Sequence, residues 1–277
     1  MAKVISTEHI ALLDHGYLKL MDAWGSDERV IEAARMSTDG AFKGWGGAPC
    51  PECQAAGRLS DADELFKTYE DIQAAKEQCS TCKGTGKKPG DEKLLRYLWE
   101  HFHRTPFEMA GLTIEVQAPI LCFREWQRHR TQSYNELSAR YTPLPDLNYI
   151  PTIERLMINA GTSNKQAGTV KDSETLTVEE AGKFRDFLGV IYGVAQEGYE
   201  QALRRGVPKE LARVHLPVGR YSRMRASANL RNWLAFLTLR MDPAAQWEIR
   251  QYANALGTVI QQIFPRTWEL FAEGLKQ

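Results

Sequence analysis

The sequence predicts an α+β fold that is rich in helix, has a small sheet and carries a small cysteine-containing module inserted into its main domain. Three observations support this prediction. Several long segments begin at recognisable helix caps and end at glycine or proline. One segment alternates apolar and polar residues, as a half-buried strand does. Two CxxC pairs lie between glycine-rich borders, where the composition changes abruptly.

The N-terminal region predicts a strand, a helix and then an insertion. Residues 9–16 (HIALLDHG) are predicted as a short strand, and residues 26–36 as a helix whose first residue, a serine, is an N-cap. Residues 42–90 have glycine-rich ends and enclose the CxxC pairs and one amphipathic segment, 60–78. We therefore predict one main domain, made of residues 1–41 and 91–277, with residues 42–90 inserted into it.

After the insertion, the sequence predicts a helix, a strand and a second helix. The first helix begins near residue 91 and must stop before Pro106, because the residue preceding a proline is disfavoured in helical conformation. Residues 112–118 (LTIEVQA) alternate in polarity and are predicted as a half-buried strand. Pro119 then begins a helix that continues through Trp126 and leads into the segment RHRTQSYNELSARY.

The C-terminal part is predicted to be almost entirely helical. Residues 159–175 are polar and have no apolar periodicity. Thr177 and Glu180 form a capping box that begins a long helix ending at Arg205. Three further helices are predicted at residues 229–240, at residues 243–264 and after Pro265.

The composition excludes some classes of function. The 35 basic and 35 acidic residues cancel, whereas proteins that coat DNA or RNA normally carry a clear basic excess. Any anion site is therefore local, which favours small phosphorylated ligands over nucleic acid. No apolar stretch is long enough to span a membrane and no signal peptide is visible, so we expect no membrane partner and a cytoplasmic location.

Four of the five cysteines form two pairs, Cys50 with Cys53 and Cys79 with Cys82. A two-residue spacing lets both thiolates of a pair reach one tetrahedral ion, so we predict a structural Zn²⁺ held by all four. The second pair continues as CKGTG and resembles the CxxCxGxG repeat of DnaJ-type domains. A redox dithiol and unliganded thiols are the alternatives. Cys122, in the apolar run PILCF, is predicted to be a buried small hydrophobe.

The segment RHRTQSYNELSARY, residues 128–141, is the candidate anion site. Guanidinium groups are planar forks that suit phosphate and the edge of a base. Arg128, His129 and Arg130 could bind one phosphorylated ligand, and Ser138 with Arg140 a second. A solvated charge cluster is the alternative, although hydroxyl groups and one carboxylate are interleaved with the bases.

These residues resemble a known family. RHR, seven further residues and serine make the signature of the flavin-dependent thymidylate synthases, and Arg128 to Ser138 satisfies it. Further matches occur in chain order: ALLDHGYLKLMDAWGSDERVIEAARMS resembles the family's N-terminus, HRTPFE its helix-ending element and LRMDPAAQWEIRQYA its C-terminal stretch. The resemblance covers nearly everything except residues 42–90 and the polar segment after residue 159.

The resemblance implies a thymidylate-synthase-complementing fold and a homotetramer built around FAD that converts dUMP to dTMP. Methylenetetrahydrofolate would donate the carbon, and NADPH would supply electrons through the flavin. The family uses no enzyme cysteine on the uracil ring, which agrees with an apolar setting for Cys122 and a metal role for the other four. Ser138 has neither a base nor a glycine-flanked turn in the sequence, so we predict that it binds ligand.

Individual site residues follow from motif position. The resemblance implies flavin contacts at Ser37, Thr105, Arg128, His129, Arg130, Glu136, Asn229 and Arg231. It implies dUMP contacts at Glu125, Gln127, Arg128, Glu136, Ser138, Arg140, Arg213 and Arg240. It implies catalytic roles for Arg240 and His103.

The resemblance implies that Arg240 is the main catalytic residue. A guanidinium at the uracil edge stabilises charge developing on the pyrimidine, which makes C5 a better nucleophile without covalent attack at C6. The alternative is a cation that complements its helix dipole, and for His103 it is a helix cap. Three positions depart from the relatives: Glu125 replaces glutamine, Ala235 replaces a polar flavin contact, and Ala244 stands where some have histidine.

The sequence alone leaves two other functions open. One is a zinc-ribbon protein that binds nucleic acid and uses the RHR triplet on phosphates. The other is a flavoprotein that has kept its flavin site but lost methyl transfer, because Glu125 and Ala244 alter the pocket. Flavin absorbance separates the first from an enzyme, and dTMP formation separates the second.

Overall fold

The computed structural model describes residues 9–47, 49–55, 79–83, 87–158 and 176–275. The amphipathic segment predicted at residues 60–78 and the polar segment at residues 159–175 lie outside these ranges. The fold is α+β, as predicted: helices cover one face of an antiparallel sheet, and the core lies between the two layers. No helix among the described residues has the length and apolar character needed to cross a membrane.

The sheet has five strands in the spatial order β1-β2-β3-β5-β4, and all neighbours are antiparallel. The strands are β1 (Ile10–Leu12), β2 (Gly16–Trp24), β3 (Gly111–Pro119), β4 (Ser133–Glu136) and β5 (Tyr221–Asn229). The described helices are α1 (Asp27–Arg35), α2 (Pro51–Ala55), α3 (Glu92–Glu100), α4 (Ile120–Trp126), α5 (Ile153–Met157), α6 (Val178–Arg204), α7 (Lys209–Ala212), α8 (Leu230–Arg240), α9 (Trp247–Ile263) and α10 (Pro265–Leu275). Two short 3-10 turns, Met36–Thr38 and Thr105–Met109, flank the first groove described below.

Strand β3 is the centre of the sheet. Leu112, Ile114 and Val116 are fully buried against the helices, which confirms the strand predicted from their alternation. Burial of each such side chain contributes roughly 1.5–3 kcal/mol relative to exposure. The other face is polar: Glu115 accepts hydrogen bonds from the Tyr17 hydroxyl at 2.9 Å and the Arg225 Nε at 3.2 Å.

The predicted caps are present. The Ser26 side chain accepts a hydrogen bond from the Arg29 backbone N–H, and Thr177 and Glu180 form the capping box of α6. Pro119 precedes α4 as predicted. The Asn229 side chain also caps α8, through the Asn232 N–H, which was not predicted. These local bonds satisfy N–H groups that a helix leaves unpaired at its start.

Several element boundaries differ from the prediction. The first strand ends at Leu12, because Leu13 adopts a left-handed conformation (φ 55°) in the turn to β2. Helix α3 ends at Glu100, well before Pro106, because Phe102 is also left-handed (φ 59°). Helix α9 begins at Trp247, since the residues after Pro243 form a turn.

Three strands were not predicted: β2, β4 and β5. Strand β5 alternates Arg223 and Arg225 with Met224 and Ala226, so its buried face consists mostly of small residues. Its pairing with β3 over nine positions, and not its own apolar content, makes it a strand.

The two ends of the inserted segment lie side by side. The Gly47 N–H donates to the Lys88 carbonyl at 3.3 Å, and the Asp91 N–H donates to the Gly44 carbonyl at 3.0 Å. The buried Asp91 carboxylate also accepts from the Arg35 guanidinium and from the Lys43 N–H. The two ends of residues 42–90 therefore meet at one stem, and the Asp91–Arg35 pair joins this stem to the end of α1.

Candidate active site and cysteine cluster

Arg240 lies at the C-terminal end of α8 and only 14% of its side chain is exposed. Its Nε donates to the His129 Nε2 at 2.9 Å. Its Nη1 donates to the Glu125 Oε2 at 3.0 Å, and its Nη2 to the Glu125 carbonyl at 2.9 Å. A guanidinium has five N–H donors. These bonds therefore fix the plane of the group and leave two donors for a ligand.

His129 is held neutral in this arrangement. Burial, and then the positive charge of Arg240, lower the pKa of His129 to about 4, while Glu125 acts in the opposite direction. Because the Nε2 atom accepts the hydrogen bond from Arg240, the proton of the neutral ring is assigned to Nδ1. The imidazole is thus an acceptor that orients the arginine.

One face of α8 carries the arginine-rich segment. Asn232 donates to the Thr131 carbonyl at 3.1 Å, Phe236 packs edge-on against the His129 ring, and Arg240 binds the same ring. Positions 232, 236 and 240 are four residues apart and therefore lie on one side of a helix. The segment is held along α8 by three successive turns.

The RHR triplet does not form a single cluster of bases. His129 faces Arg240, whereas Arg128 and Arg130 are exposed to solvent. The Arg128 side chain is 74% exposed, and its Nε lies 3.7 Å from the Glu125 Oε1. The triplet therefore presents two exposed cations on either side of an inward-facing histidine.

Glu136 and Gln127 lie together next to the polar face of the sheet. The Gln127 Nε2 donates to the Glu136 Oε2 at 3.2 Å. Glu136 also lines a shallow groove of about 330 Å³ together with Arg223 and Arg225 of β5. These two arginines were not singled out from the sequence, because strand β5 itself was not predicted.

Ser138, Arg140 and Arg213 are associated with α7. The Arg140 Nε pairs with Glu210 of this helix at 2.9 Å, and Arg213 follows its last residue. The Ser138 Oγ accepts the Arg140 backbone N–H at 3.3 Å. In the described part of the chain, no histidine or carboxylate hydrogen-bonds to this oxygen, which gives Ser138 no general base.

Ser37, His103 and Thr105 line a groove of about 540 Å³ between α1 and α3. The Ser37 Oγ donates to the Ala34 carbonyl at 2.9 Å. His103 is exposed, with its ring centroid 5.6 Å from that of Tyr97. Three of the residues assigned to flavin and catalysis therefore share this first groove.

A second groove, of about 360 Å³, lies where the Thr105–Met109 turn meets α8. It is lined by Trp99, Arg104, Phe107, Arg231, Leu234, Ala235 and Thr238. Arg231 donates to Glu108 at 2.6 Å. Asn229 caps α8 through its Oδ1 at the start of the same helix. Arg104 was not among the predicted site residues, because nothing in the sequence distinguishes it from a solvated arginine.

Within one chain, the predicted residues thus fall into separate groups. Two grooves carry Ser37, His103, Thr105 and Arg231. Arg240 with His129 and Glu125 forms a third group, the α7 group is a fourth, and Gln127 with Glu136 is a fifth. None of the three grooves described above contains all five groups.

The four paired cysteines come together as predicted. Their Sγ atoms all lie within 4.8 Å of one another, with Cys50 to Cys79 at 3.8 Å and Cys53 to Cys82 at 3.5 Å. A tetrahedral ion with Zn–S bonds of about 2.3 Å requires sulfur pairs about 3.8 Å apart. All four are buried and free of disulfides. Burial raises the pKa of the equally buried Cys122 thiol.

The chain is similar to proteins of one family. The model for "Thymidylate synthase complementing protein" matches residues 19–266. A flavin-dependent thymidylate synthase of Thermus thermophilus is 32% identical over 268 residues, covering 96% of this chain and 79% of the relative. One of Thermosipho africanus is 33% identical over 260 residues, covering 94% and 92%. The crystal structure of a UMP/dUMP methylase from Streptomyces cacaoi bound with 5-Br dUMP superimposes with a TM-score of 0.69 at 27% identity, covering 95% and 97%.

Proposed function

The chain belongs to the thymidylate synthase complementing protein family, and we propose that it is a methyltransferase that converts dUMP to dTMP with FAD as its cofactor. In this proposal methylenetetrahydrofolate donates the carbon and NADPH the reducing electrons, as the family resemblance implies. The observation that carries it is the Arg240 cluster. A partly buried guanidinium is oriented by three hydrogen bonds and keeps two donors for a ligand.

Arg240 is proposed to activate the substrate. Its free N–H groups would donate to the edge of the uracil ring, where they stabilise negative charge on the pyrimidine and so increase the electron density at C5. Because Glu125 and His129 hold the fork before the substrate arrives, little reorganisation is needed during the reaction. Flavin, when bound, supplies the reducing equivalents.

Among the residues that the structure describes, neither the cysteines nor Ser138 is placed to act as a nucleophile on the ring. Cys122 is fully buried with a raised pKa. The other cysteines face one another in the cluster, and Ser138 has no base within hydrogen-bonding distance among the described residues. This supports activation by Arg240 alone.

The remaining dUMP contacts are proposed for the exposed bases of residues 128–141 and for Arg213. Arg128 and Arg140 each pair with a carboxylate, at 3.7 Å and 2.9 Å respectively. Both pairs are more than half exposed on the arginine side, and such pairs are weak enough to exchange for a phosphate group. Ser138, Gln127 and Glu136 would supply the neutral and acceptor contacts.

The two grooves fit a flavin dinucleotide. Apolar walls suit a flat ring system, and arginine suits a diphosphate. The first groove offers Leu94, Leu98 and Met109 with Thr105, and the second Phe107, Leu234 and Ala235 with two arginines. Adjacent residues of the Thr105–Met109 turn line both grooves, so one elongated ligand could contact the two.

We also propose a homotetramer in which neighbouring chains complete each site. The groups of predicted residues do not share any one of the three grooves described above. In addition, α6 exposes an apolar row at helical spacing, made of Phe184, Phe187, Ile191 and Val194, each between 41% and 68% exposed. An apolar surface of this kind on a 27-residue helix indicates a protein–protein contact.

Residues 42–90 are proposed to be a zinc module held by Cys50, Cys53, Cys79 and Cys82. Sulfur distances close to those of a tetrahedral site support this assignment. Four thiolates leave no open position on the metal, so its role would be structural. Free thiols in five of five cysteines also fit the reducing cytosol.

One observation favours a second function, a flavoprotein without methyl transfer. The Glu125 carboxylate neutralises part of the charge of Arg240 at 3.0 Å. If the pair did not open for dUMP, the ring would not be activated. The two functions share the flavin site and differ in the product.

The experiment is dTMP formation by the purified full chain with FAD, NADPH and methylenetetrahydrofolate, with and without dUMP. Formation of dTMP only when dUMP is present supports the proposed enzyme. Flavin absorbance with NADPH oxidation but no dTMP would establish the second function instead. A colourless protein that does not take up FAD would contradict both.

A further inference from the structure

Glu52 connects the two cysteine pairs. It lies inside the first CxxC pair, in the first turn of α2, and it is exposed to solvent. Its Oε2 accepts a hydrogen bond from the Cys79 Sγ at 3.4 Å. The carboxylate also accepts hydrogen bonds from the side chain and the backbone N–H of Thr81 and from the side chain of Ser80. One side chain of the first pair is therefore bonded to three consecutive residues of the second.

The second cysteine pair is itself a tight turn. The Lys83 N–H donates to the Cys79 carbonyl at 2.8 Å, and Lys83 has a left-handed conformation (φ 46°). The chains that carry the two pairs also meet at an antiparallel bridge between Pro49 and Lys87. This bridge lies outside both pairs, whereas the contacts of Glu52 lie within them. Glu52 therefore bears more directly on how closely the sulfur atoms of the two pairs approach.

Two effects of this carboxylate on a bound metal oppose each other. Four thiolates around a divalent ion carry a net negative charge, so a further carboxylate beside them weakens metal binding by repulsion. Hydrogen bonds that hold the ligand-bearing residues in place strengthen metal binding. The bond from Cys79 exists only while its sulfur keeps the proton. The bonds from Ser80 and Thr81 involve no metal ligand and do not depend on that proton.

The exposure of Glu52 decides which effect is larger. Water surrounds the carboxylate and screens its repulsion of the thiolates. Its hydrogen bonds to the second pair have an ionised acceptor and are therefore stronger than bonds between neutral groups. Positioning should thus outweigh repulsion.

We propose that Glu52 is a positioning residue of the metal site, which holds the second cysteine pair against the first so that four thiolates meet one soft divalent ion in tetrahedral geometry. This inference rests on the zinc module put forward under the proposed function. Removal of the side chain should weaken metal binding, whereas repulsion alone would make the variant bind more tightly.

The test is metal binding by the metal-free full chain. Zn²⁺ affinity is measured by competition with a chromophoric chelator. Co²⁺ alone is added to a second sample, because thiolate-to-Co²⁺ absorbance reports the number and geometry of the sulfur ligands. We expect Glu52→Ala to bind Zn²⁺ about tenfold to a hundredfold more weakly than the parent, the usual effect of losing a residue that orients metal ligands. Its Co²⁺ spectrum should still be that of four thiolates.

Glu52→Gln separates positioning from charge. Glutamine keeps an acceptor oxygen for Thr81 and Ser80 but carries no charge. Its Zn²⁺ affinity should therefore lie close to that of the parent. Thr81→Val removes one of the donors. Added to Glu52→Ala, it should cost little further affinity, because both changes break the same bond.

Glu179→Ala is the matched control. Glu179 is also an exposed glutamate in the first turn of a helix, and it pairs with Lys183 of α6. Its Zn²⁺ affinity should equal that of the parent. Thermal unfolding followed by tryptophan fluorescence checks that the main domain is equally stable in all variants.

Three results would overturn the inference. Zn²⁺ binding by Glu52→Ala that is as tight as in the parent, or tighter, would show that its hydrogen bonds do not position the site. Equal weakening in Glu52→Ala and Glu52→Gln would assign the effect to the charge of the carboxylate or to its own ligation of the metal. A parent protein that binds neither Zn²⁺ nor Co²⁺ contradicts the zinc module itself. The dUMP reaction is tested separately by its product, so these failures are distinguishable.

Discussion

The Arg240 cluster and the cysteine cluster are both partly or fully buried. They differ in how many of their bonding groups remain available to a ligand. Arg240 has three of its five N–H donors satisfied and two available. The four cysteine Sγ atoms face one another at distances that suit one tetrahedral ion. The first arrangement keeps two N–H donors that the described protein atoms do not satisfy, whereas the second would be closed by a bound ion.

Under the proposed function, this difference distinguishes a catalytic site from a structural one. An open, preorganised cation stabilises charge that develops during a reaction. A closed metal site contributes folding energy to a segment that has too little apolar surface for a core of its own. Nevertheless, the two regions are connected: the stem of the insertion is fastened by Asp91 to Arg35, and Arg35 lines the first groove.

The largest effect is expected from Arg240→Ala. Removal of a donor that stabilises the transition state typically costs about a hundredfold or more in rate, so dTMP formation should nearly disappear. FAD should remain bound, because the grooves are lined by other residues. Steady-state dTMP formation and the flavin spectrum of the same preparation are the two measurements.

Arg240→Lys sharpens this prediction, since lysine keeps the charge but cannot bridge Glu125 and His129 as a planar fork. We expect it to retain flavin and to recover only a small part of the activity. Full activity in either variant would remove Arg240 from the chemistry.

The next effect concerns the closed site. We expect about one zinc ion per chain by mass spectrometry and none in Cys79→Ser, because three thiolates hold the ion less tightly than four. Residues 42–90 should then unfold locally, with faster amide hydrogen exchange, while the main domain keeps its flavin. Cys122→Ala is the control and should retain the metal.

The same variant tests whether the insertion is dispensable. We predict that dTMP formation survives the loss of zinc, because all motif-matched residues lie outside residues 42–90. Complete loss of activity on chelation would show instead that the zinc-bound segment is needed to hold the first groove in shape, through the contact between Asp91 and Arg35.

A smaller effect is expected from Glu125→Gln. Glutamine can still accept the hydrogen bond from the Arg240 Nη1, but it removes the negative charge beside the incoming nucleotide. We expect the KM for dUMP to fall about twofold to fivefold, the scale of a partly exposed charge interaction. A raised KM would show that the carboxylate itself is required at the substrate.

Some features of the two clusters could be predicted from the sequence, and others could not. The clustering of Cys50, Cys53, Cys79 and Cys82 could be predicted from their spacing alone, because two-residue spacing is a local property. Arg240 was assigned through a family motif, but its partners depend on how α8 packs on the segment before β4, which no local pattern encodes.

The fold shows the same division. Strand β3 was predicted because Leu112, Ile114 and Val116 alternate, and α6 because Thr177 and Glu180 cap it. Strand β5 was not predicted, because its inward-facing residues are mostly small and it is stabilised as a strand by pairing with β3. Elements whose pattern or cap lies within a short stretch of sequence could be predicted. Elements that form only by pairing with a distant strand could not.

The smallest effect is a pH dependence that originates at His129. Its pKa is about 4 in the folded protein and 6.5 without the fold. Between these values the unfolded chain binds more protons, so stability rises with pH across this window and levels off below about 4 and above about 6.5. The ring is only half-buried, so solvent screens part of the effect. Protonation also removes the acceptor for the Arg240 Nε, which should loosen the fork as the pH falls.

His129→Gln isolates this contribution, because the glutamine oxygen can accept the same bond without titrating near neutral pH. Urea unfolding of parent and variant from pH 4.5 to 7.5 should show a steeper loss of stability on acidification in the parent. Identical slopes would mean that His129 titrates alike in both states, and that its neutral form is not what orients Arg240.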